Sequence, residues 1–206
     1  MAHMADLIEK GTSHRDAVAE VFKENRHIIF TGNGYSAEWP VEAEKRGLPN
    51  LNTTPKAIAT WASEKNKALF AEMSVFTDEE TEAVAEIMYE NYVTSLSVEA
   101  QTMVQMLETG ILPACAQDMA KYAAAPKLAR GRESIYESIS AETDKLQEML
   151  SSVPSDGLVK EATYYCDVVK PQMGVVRGLV DKAEGLMQKS LYPYPTYEEL
   201  LYSHHH

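Results

Sequence analysis

TDEETEAVAEIMYENYVTSLSVEAQTMVQMLETGILPACAQDMAKYAAA, residues 77–125, is the stretch that decides the fold class. It predicts one long helix, roughly 70 Å from end to end. Thr77 and Glu80 form a capping box at its start, and Pro113 is expected to bend it because proline cannot donate a helical hydrogen bond. Its apolar residues recur every three or four positions, first as Val84, Ile87, Met88 and Tyr92 and then as Ala100, Met103, Val104, Leu107 and Ile111.

Two further long helices follow, over residues 132–150 and 158–189, and each comes after a short turn that contains proline and glycine. The last helix carries an apolar seam with spacings of three and four, and Pro171 is expected to kink it. Long amphipathic helices joined by short turns pack antiparallel, so residues 77–190 are expected to form a helical bundle. The seam comprises Ala162, Tyr165, Val169, Met173, Val176, Val180, Ala183 and Met187.

The segments on either side of this bundle are shorter and richer in loops. Residues 5–76 predict an N-terminal arm of short helices, one of which is expected to begin at a Ser36 cap. Residues 191–202 predict a C-terminal arm of proline and tyrosine, with a last helical turn from a capping box of Thr196 and Glu199. No convincing strand pattern occurs. The predicted fold class is therefore all-α, an antiparallel bundle of long kinked helices preceded by a loop-rich arm of short helices.

Both ends of the chain have the composition of expression sequence. Residues 1–4, MAHM, are typical of a cloning remnant, and residues 203–206, SHHH, are typical of a tag region. Four of the six histidines lie in these segments. Only His14 and His27 therefore carry native information.

The composition excludes several classes of function. The 206 residues are 45% hydrophobic and 24% charged, as expected of a globular chain, and the net charge is −12. Such a charge would be repelled by nucleic acid and by anionic membranes, and no apolar run reaches the length of a membrane span. The two cysteines, Cys115 and Cys166, are too few for a disulfide scaffold. Together with the lack of a secretory signal, they predict a cytoplasmic location.

The most suggestive motif is GNGYSA, residues 32–37, which follows a short apolar run and matches the glycine pattern of dinucleotide sites. A dinucleotide site also needs a βαβ unit and an acidic residue about 20 positions further on. Neither follows the motif here. We therefore interpret it as a tight turn that uses Gly32 and Gly34 for their access to positive φ.

No other pattern predicts chemistry. A di-iron bundle needs Glu-x-x-His on two helices, and neither His14 nor His27 fits that spacing. Cys115 and Cys166 have apolar neighbours and are interpreted as small core residues. The acidic run 78–80 is interpreted as a favourable first helical turn. We assign no catalytic, cofactor-binding or metal-binding residue.

Five aromatic side chains are the candidates for docking a partner. The two tryptophans of the N-terminal arm are expected to anchor it, either on the bundle or on a missing partner. The tyrosines of the C-terminal arm are expected to bury their rings against a neighbour. These candidates are Trp39, Trp61, Tyr192, Tyr194 and Tyr197.

Several stretches, taken in order, resemble the C-terminal region of type III glutamine synthetases, the long bacterial form. The resemblance covers nearly the whole native chain, although Ala37 replaces an acid and Tyr192 replaces the tryptophan that is usual in that family. The stretches are HIIFTGNGYSAEW (27–39), EAEKRGLPNL (42–51), TTP (53–55), VEAQTM (98–103), ILPA (111–114) and YPYPTYEELL (192–201).

This resemblance implies that the parent protein is an ATP-dependent ligase that joins ammonia to glutamate with a divalent cation such as Mg²⁺, and that it assembles into a large homo-oligomer. The catalytic motifs of that family lie upstream and do not occur in this chain. The chain is thus expected to be a non-catalytic helical domain that packs on the catalytic core and supports subunit assembly. The alternative is a regulatory or protein-binding module, which would receive its effector on the acidic surface or at residues 32–36.

Overall fold

A computed structural model of the chain describes residues 2–202, so Met1 of the predicted cloning remnant and the predicted tag region 203–206 lie outside the described residues. All regular secondary structure over 2–202 is helical, and no residue of that range lies in a strand. The predicted all-α fold class is confirmed. Over the same range, no helix has the length and apolar character needed to cross a membrane.

The chain divides into two compact units, one up to Glu82 and one from Ala83 onward. The helices of the first unit are short, and a 3₁₀ turn follows the second of them at Arg26–Ile28. A long helix, α6, begins at the end of this unit and continues into the second. The helices of the first unit are α1 (Ala2–Glu9), α2 (His14–Glu24), α3 (Glu38–Lys45), α4 (Thr54–Trp61) and α5 (Glu64–Glu72).

The second unit contains the long helices. Two short 3₁₀ helices, Pro126–Ala129 and Lys189–Leu191, lie between the longer elements of this unit. A short α-helix in the C-terminal arm, Tyr197–Tyr202, ends it. The helices are α6 (Asp78–Met106), α7 (Leu112–Ala120), α8 (Arg132–Ser151), α9 (Leu158–Tyr164), α10 (Lys170–Glu184) and α11 (Tyr197–Tyr202).

Side-chain caps begin helices at both predicted capping boxes, Thr77 with Glu80 and Thr196 with Glu199, and also at Ser13. The Ser13 hydroxyl accepts from the amide of Asp16 at 3.2 Å, and Thr77 and Glu80 bond each other's amides at 3.1 and 2.8 Å. The Ser36 cap is wrong, because the Ser36 hydroxyl instead donates to the backbone oxygen of Asn33 at 2.9 Å. Helix α3 consequently has Ala37 as its N-cap and begins one residue later than predicted.

Helices α8 and α10 pack antiparallel, as hydrogen bonds at two levels demonstrate. The Gln172 amide donates to the backbone oxygen of Glu142 at 3.0 Å, and the Arg132 guanidinium donates to the backbone oxygen of Leu186. Residue numbers therefore rise along one helix as they fall along the other. Since α8 and α10 are joined through only a short turn and α9, this is the geometry expected of neighbouring amphipathic helices.

Each predicted proline bend coincides with a π turn. Residues Leu107–Ile111 form a π turn just before Pro113, and residues Tyr165–Val169 form another just before Pro171. Proline has no amide hydrogen, and its ring collides with the carbonyl four residues earlier. A π turn widens the helix at that point and removes the collision, so the helix continues beyond each proline.

The predicted seam of the last long helix is buried nearly as expected. Its members are at most 9% exposed except for Met173, whose place toward the core is taken by Gln172. The first predicted stripe of α6 is wrong, because Ile87 is 55% and Met88 37% exposed. In its first half, the buried face of α6 is shifted by one position from that stripe, and it includes small and polar side chains. The buried face of α6 and the π turn after it comprises Thr81, Ala85, Tyr89, Val93, Leu96, Ala100, Val104, Leu107 and Ile111.

Two long helices end earlier than the sequence indicates. Helix α7 ends at Ala120 rather than near residue 125, because the amides of Lys121 and Tyr122 bond to carbonyls three residues back. Helix α10 ends at Glu184 rather than near residue 189. Both ends lie beside the buried Asp118, whose contacts are described below.

Candidate functional site

The predicted docking residues divide between the two units. Trp39 and Trp61 lie in the first unit, and the three tyrosines of the C-terminal arm lie in the second. Each group therefore defines its own candidate surface. The C-terminal arm is described first because it closes a cavity.

Tyr194 holds the C-terminal arm against the first π turn. Its hydroxyl donates to the backbone oxygen of Met106 at 2.9 Å. A Cβ atom on Gly110 would lie 2.5 Å from this hydroxyl oxygen and 2.9 Å from the ring carbon that bears it. Only glycine at position 110 leaves room for the tyrosine, so Gly110 is a contact residue of the arm as well as part of the turn.

Tyr192 packs against the buried core of the second unit and is itself half-buried. Burial, together with the nearby carboxylate of Glu184, which favours the protonated form, raises the pKa of its phenol to about 12. Tyr192 is therefore neutral at physiological pH and serves as an apolar anchor with one polar end.

Tyr197 fixes the start of α11 on α10 through polar contacts. Its amide donates to Glu184 at 3.2 Å, and its hydroxyl donates to Asp181 at 3.2 Å. The Arg177 guanidinium donates to the same hydroxyl and lies 5.4 Å from the ring centre, and it is also paired with Asp181 at 3.0 Å. The hydrogen bond with Tyr197 and the carboxylate of Asp181 raise the pKa of Arg177 above its ordinary value.

The arm closes an apolar cavity of about 530 Å³ between the second half of α6 and α10. The floor consists of aliphatic and methionine side chains, and the arm supplies the aromatic wall. The polar groups lie at the edge: Glu99, Thr102, Arg177 and Glu184. The cavity is of the size that holds small organic molecules.

The two tryptophans of the first unit lie in separate aromatic clusters. Trp39 stacks on Phe30 with ring centres 4.3 Å apart. Trp61 contacts Phe70 at 5.1 Å and Phe76 at 6.1 Å, and its indole nitrogen is buried with no hydrogen-bond partner among the described residues. Both rings are half-buried within their own unit. Their predicted docking on a partner stays a prediction.

The GNGYSA motif forms a bent loop that leads into α3. Our prediction of positive φ at its glycines is wrong, since neither Gly32 nor Gly34 has it. The requirement for glycine at position 32 has a different cause, because the Phe30 ring lies against its α-carbon and a Cβ atom would collide with that ring. Tyr35, at the tip of this loop, is fully exposed.

The first unit has a small core and a large exposed apolar surface. Its buried hydrophobic residues are Ala17, Ala43 and Ile58. Exposed apolar side chains mark an interaction site where they lie together. The large hydrophobic residues exposed in this unit are Val18, Phe22, Ile28, Ile29, Tyr35, Val41, Leu51, Leu69, Met73 and Val75.

Sequence reasoning missed a buried polar cluster at the end of the bundle. Asp118 is completely buried on α7 and accepts from Arg132 at 3.1 Å and from the Tyr136 hydroxyl at 2.8 Å. Arg132 also lies over the Tyr122 ring at 4.9 Å. Burial and the Asp118 carboxylate raise the pKa of Tyr136. An available signal was the position of Asp118, which continues the buried stripe of Ile111 and Cys115 at helical spacing.

The described residues contain no group of three or more histidine, cysteine, aspartate or glutamate side chains close enough to hold a metal ion. Residues 32–37 lack the strand that a dinucleotide loop requires. The described residues therefore give no support for a nucleotide or a cation site, and we derive no chemical step through either. What the geometry of the described residues offers is surfaces for other macromolecules and cavities, among them the apolar one between α6 and α10.

Comparison with known proteins gives the family. The family model of the glutamine synthetase C-terminal domain matches residues 15–129, which is more than half of the chain. The chain belongs to the glutamine synthetase C-terminal domain family. The resemblance found in the sequence is thereby confirmed.

Three curated relatives of this glutamine synthetase C-terminal domain support the assignment. It is 33% identical to a glutamine synthetase of Butyrivibrio fibrisolvens over 94% of this chain, 29% identical to the type-3 glutamine synthetase of Dictyostelium discoideum over 93%, and 24% identical to a glutamine synthetase of Bacteroides fragilis over 98%. The chain spans less than a third of the length of these relatives, 31%, 29% and 31% respectively.

Proposed function

We propose that this domain is a non-catalytic part of a glutamine synthetase, and that it packs on the catalytic region and supports subunit assembly. The observation that carries the proposal is the number of large apolar side chains that the first unit exposes, compared with its buried hydrophobic core of two alanines and one isoleucine. Burying one large apolar side chain contributes roughly 1.5–3 kcal/mol. Covering several of these side chains with the rest of the enzyme would stabilise both parts.

The parent enzyme is proposed to join ammonia to glutamate with ATP and a divalent cation such as Mg²⁺, as a homo-oligomer in the cytoplasm. Support comes from the names of the relatives and from the length of those relatives that lies outside the matched part. Two free cysteines agree with a reducing compartment. ATP and the cation are assigned to the catalytic region, because the described residues give no support for a site for either.

Deletion of the C-terminal arm tests the proposed role of the domain in subunit assembly. Deleting residues 191–202 from the full-length enzyme removes Tyr192, Tyr194 and Tyr197 and opens the cavity between α6 and α10. We expect a lower melting temperature and a smaller oligomer mass, measured by calorimetry and light scattering. The control variant is Tyr202→Ala, since Tyr202 is 62% exposed. An unchanged mass and melting temperature after the deletion would contradict the assembly role.

The cavity supports a second candidate function, a regulatory module that binds a small apolar effector. The Thr102→Trp substitution would fill the cavity with an indole ring and imitate a cavity that holds an effector. The Thr102→Val substitution removes the same hydroxyl but leaves the cavity empty. In a regulatory domain, Thr102→Trp changes the glutamate dependence of the full-length enzyme at unchanged oligomer mass. Identical kinetics in both variants and the unmodified enzyme would argue against this second function.

A further inference from the structure

The first unit carries a surface that combines positive charge with exposed apolar side chains, which we call the basic patch. It lines a cavity of about 820 Å³ at the end of α2 and beside the C-terminal end of α3. Phe22 is 62% exposed and Ile29 42% exposed, so the apolar members are available for contact. The basic patch comprises Phe22, Lys23, Arg26, His27, Ile29 and Arg46.

Arg46 holds the basic patch in one shape. Its guanidinium donates to the backbone oxygen of Ile29 at 2.7 Å and pairs with Glu42 at 2.7 Å. The same group lies 5.5 Å from the centre of the Phe30 ring. These contacts tie the 3₁₀ turn after α2 to the end of α3, and a surface ordered in advance loses less entropy when it binds a partner.

Two cations of the basic patch have no counter-charge. Glu42 offsets Arg46, but Lys23 and Arg26 take part in none of the ion pairs between described residues. Lys23 and Arg26 therefore place positive charge beside exposed phenylalanine and isoleucine side chains, in a chain whose net charge is −12.

We propose that the basic patch binds the catalytic region of the same parent polypeptide, at a surface where carboxylates flank an apolar side chain. The apolar side chain would lie on Phe22 and Ile29, and the carboxylates would pair with Lys23 and Arg26. Arginine suits this role because its guanidinium can bond both oxygens of a carboxylate. This inference rests on the proposed function and assigns it a surface.

Two considerations favour the catalytic region over a second copy of this domain as the occupant. Two copies with a net charge of −12 each repel one another at long range. A catalytic region on the same polypeptide is held nearby at a high effective concentration. The matched relatives carry about 70% of their length outside the part that this chain spans, so a partner of sufficient size is available.

Hydrogen–deuterium exchange tests this proposal on the full-length parent enzyme and on the isolated 206-residue chain. We expect the backbone amides of residues 22–29 to exchange about tenfold more slowly in the full-length enzyme than in the isolated chain. Arg26→Glu in the full-length enzyme should abolish this protection, because it places like charges in contact. The matched control is Lys65→Glu, an equal charge change on an exposed lysine of α5 that lies outside the basic patch.

The possible outcomes distinguish a failure of the basic-patch proposal from a failure of the proposed function. Protection of the C-terminal arm without protection of residues 22–29 would overturn the basic patch and leave the proposed function standing. Identical exchange throughout the domain in both proteins would overturn both. Protection that appears in the isolated chain at high concentration, together with a dimer mass, would make a second copy the occupant and would also overturn the proposal.

Discussion

The Tyr194 hydroxyl donates to the backbone oxygen of Met106 at 2.9 Å, at the residue where the first π turn begins. A π turn removes backbone groups from the regular α-helical pattern, so a carbonyl at its edge can accept from a distant donor. The turn itself comes just before Pro113. The position of the C-terminal arm therefore depends on a backbone irregularity in a helix about 90 residues earlier in the chain.

Gly110→Ala is expected to destabilise the chain. In a helix interior, alanine is usually more stable than glycine by about 1 kcal/mol. Here the added carbon would lie 2.5 Å from the Tyr194 hydroxyl oxygen, which displaces the ring and breaks a hydrogen bond worth about 0.5–1.5 kcal/mol. Urea unfolding measures the difference.

The same substitution should become stabilising when Tyr194 is replaced by alanine, because the collision no longer occurs. Gly178→Ala is the matched control, since nothing lies within 4 Å of its added carbon on α10. An equal effect of Gly110→Ala with and without the tyrosine side chain would show that the two residues are not coupled.

Asp118→Ala is expected to cost about 3–5 kcal/mol of unfolding free energy, because it leaves the Arg132 charge and the Tyr136 hydroxyl without their buried partner. Asp144→Ala, at an exposed position of α8, should change the free energy by less than about 0.5 kcal/mol. Chemical denaturation of both variants decides the point. Similar small losses in the two variants would mean that the buried cluster does not stabilise the bundle end.

Stability is expected to fall as the pH rises from about 9 to 11 through the buried thiol of Cys115. Burial raises the pKa of this thiol from 9.0 to about 11, so the folded state keeps a proton that the unfolded state releases in this interval. The contribution is complete below pH 9 and is lost as the pH rises through 11, with a size of roughly 1–3 kcal/mol.

Cys115→Ala should flatten the pH dependence of the unfolding free energy between pH 9 and 11, whatever its effect at neutral pH. Urea titrations at a series of alkaline pH values measure this slope. A variant that keeps the full slope would assign the alkaline loss to other groups, such as Tyr192, whose pKa is raised to about 12.

Trp61→Phe is expected to be nearly neutral or stabilising, although it shortens a half-buried ring. The indole nitrogen is buried without a hydrogen-bond partner in the described part of the chain, and an unpaired buried donor costs about 1–3 kcal/mol. Phe70→Ala removes the ring that stacks on Trp61 and should lower the melting temperature clearly. A large loss in Trp61→Phe would indicate that the nitrogen bonds to water or to a partner.

The sequence predicted the helical elements well because their signals are local. The capping boxes at Thr77 and Thr196 depend only on neighbouring residues. The proline positions also located both irregular turns. The seam of the last long helix was nearly correct because its apolar spacings of three and four mark one helix face, whereas Val159 and Val175 lie off that seam and are exposed.

The predictions that were wrong or missing concern features determined by residues that are distant in the sequence. In α6, Thr81 and Ala85 are buried, whereas apolarity alone pointed to Ile87 and Met88. Gly32 is required by the Phe30 ring rather than by its own φ, and the burial of Asp118 depends on Arg132 and Tyr136 from the next helix. Spacing along one helix cannot reveal such partners.

The most direct test of the central claim is glutamine formation from ATP, Mg²⁺, glutamate and ammonia by three samples. These are the 206-residue chain alone, the parent enzyme without this domain, and the two mixed. The account predicts no activity from the chain, little from the truncated enzyme, and recovery in the mixture. Glutamine formation by the chain alone would contradict the claim that it is non-catalytic, and full activity of the truncated enzyme would contradict its role in supporting the catalytic region.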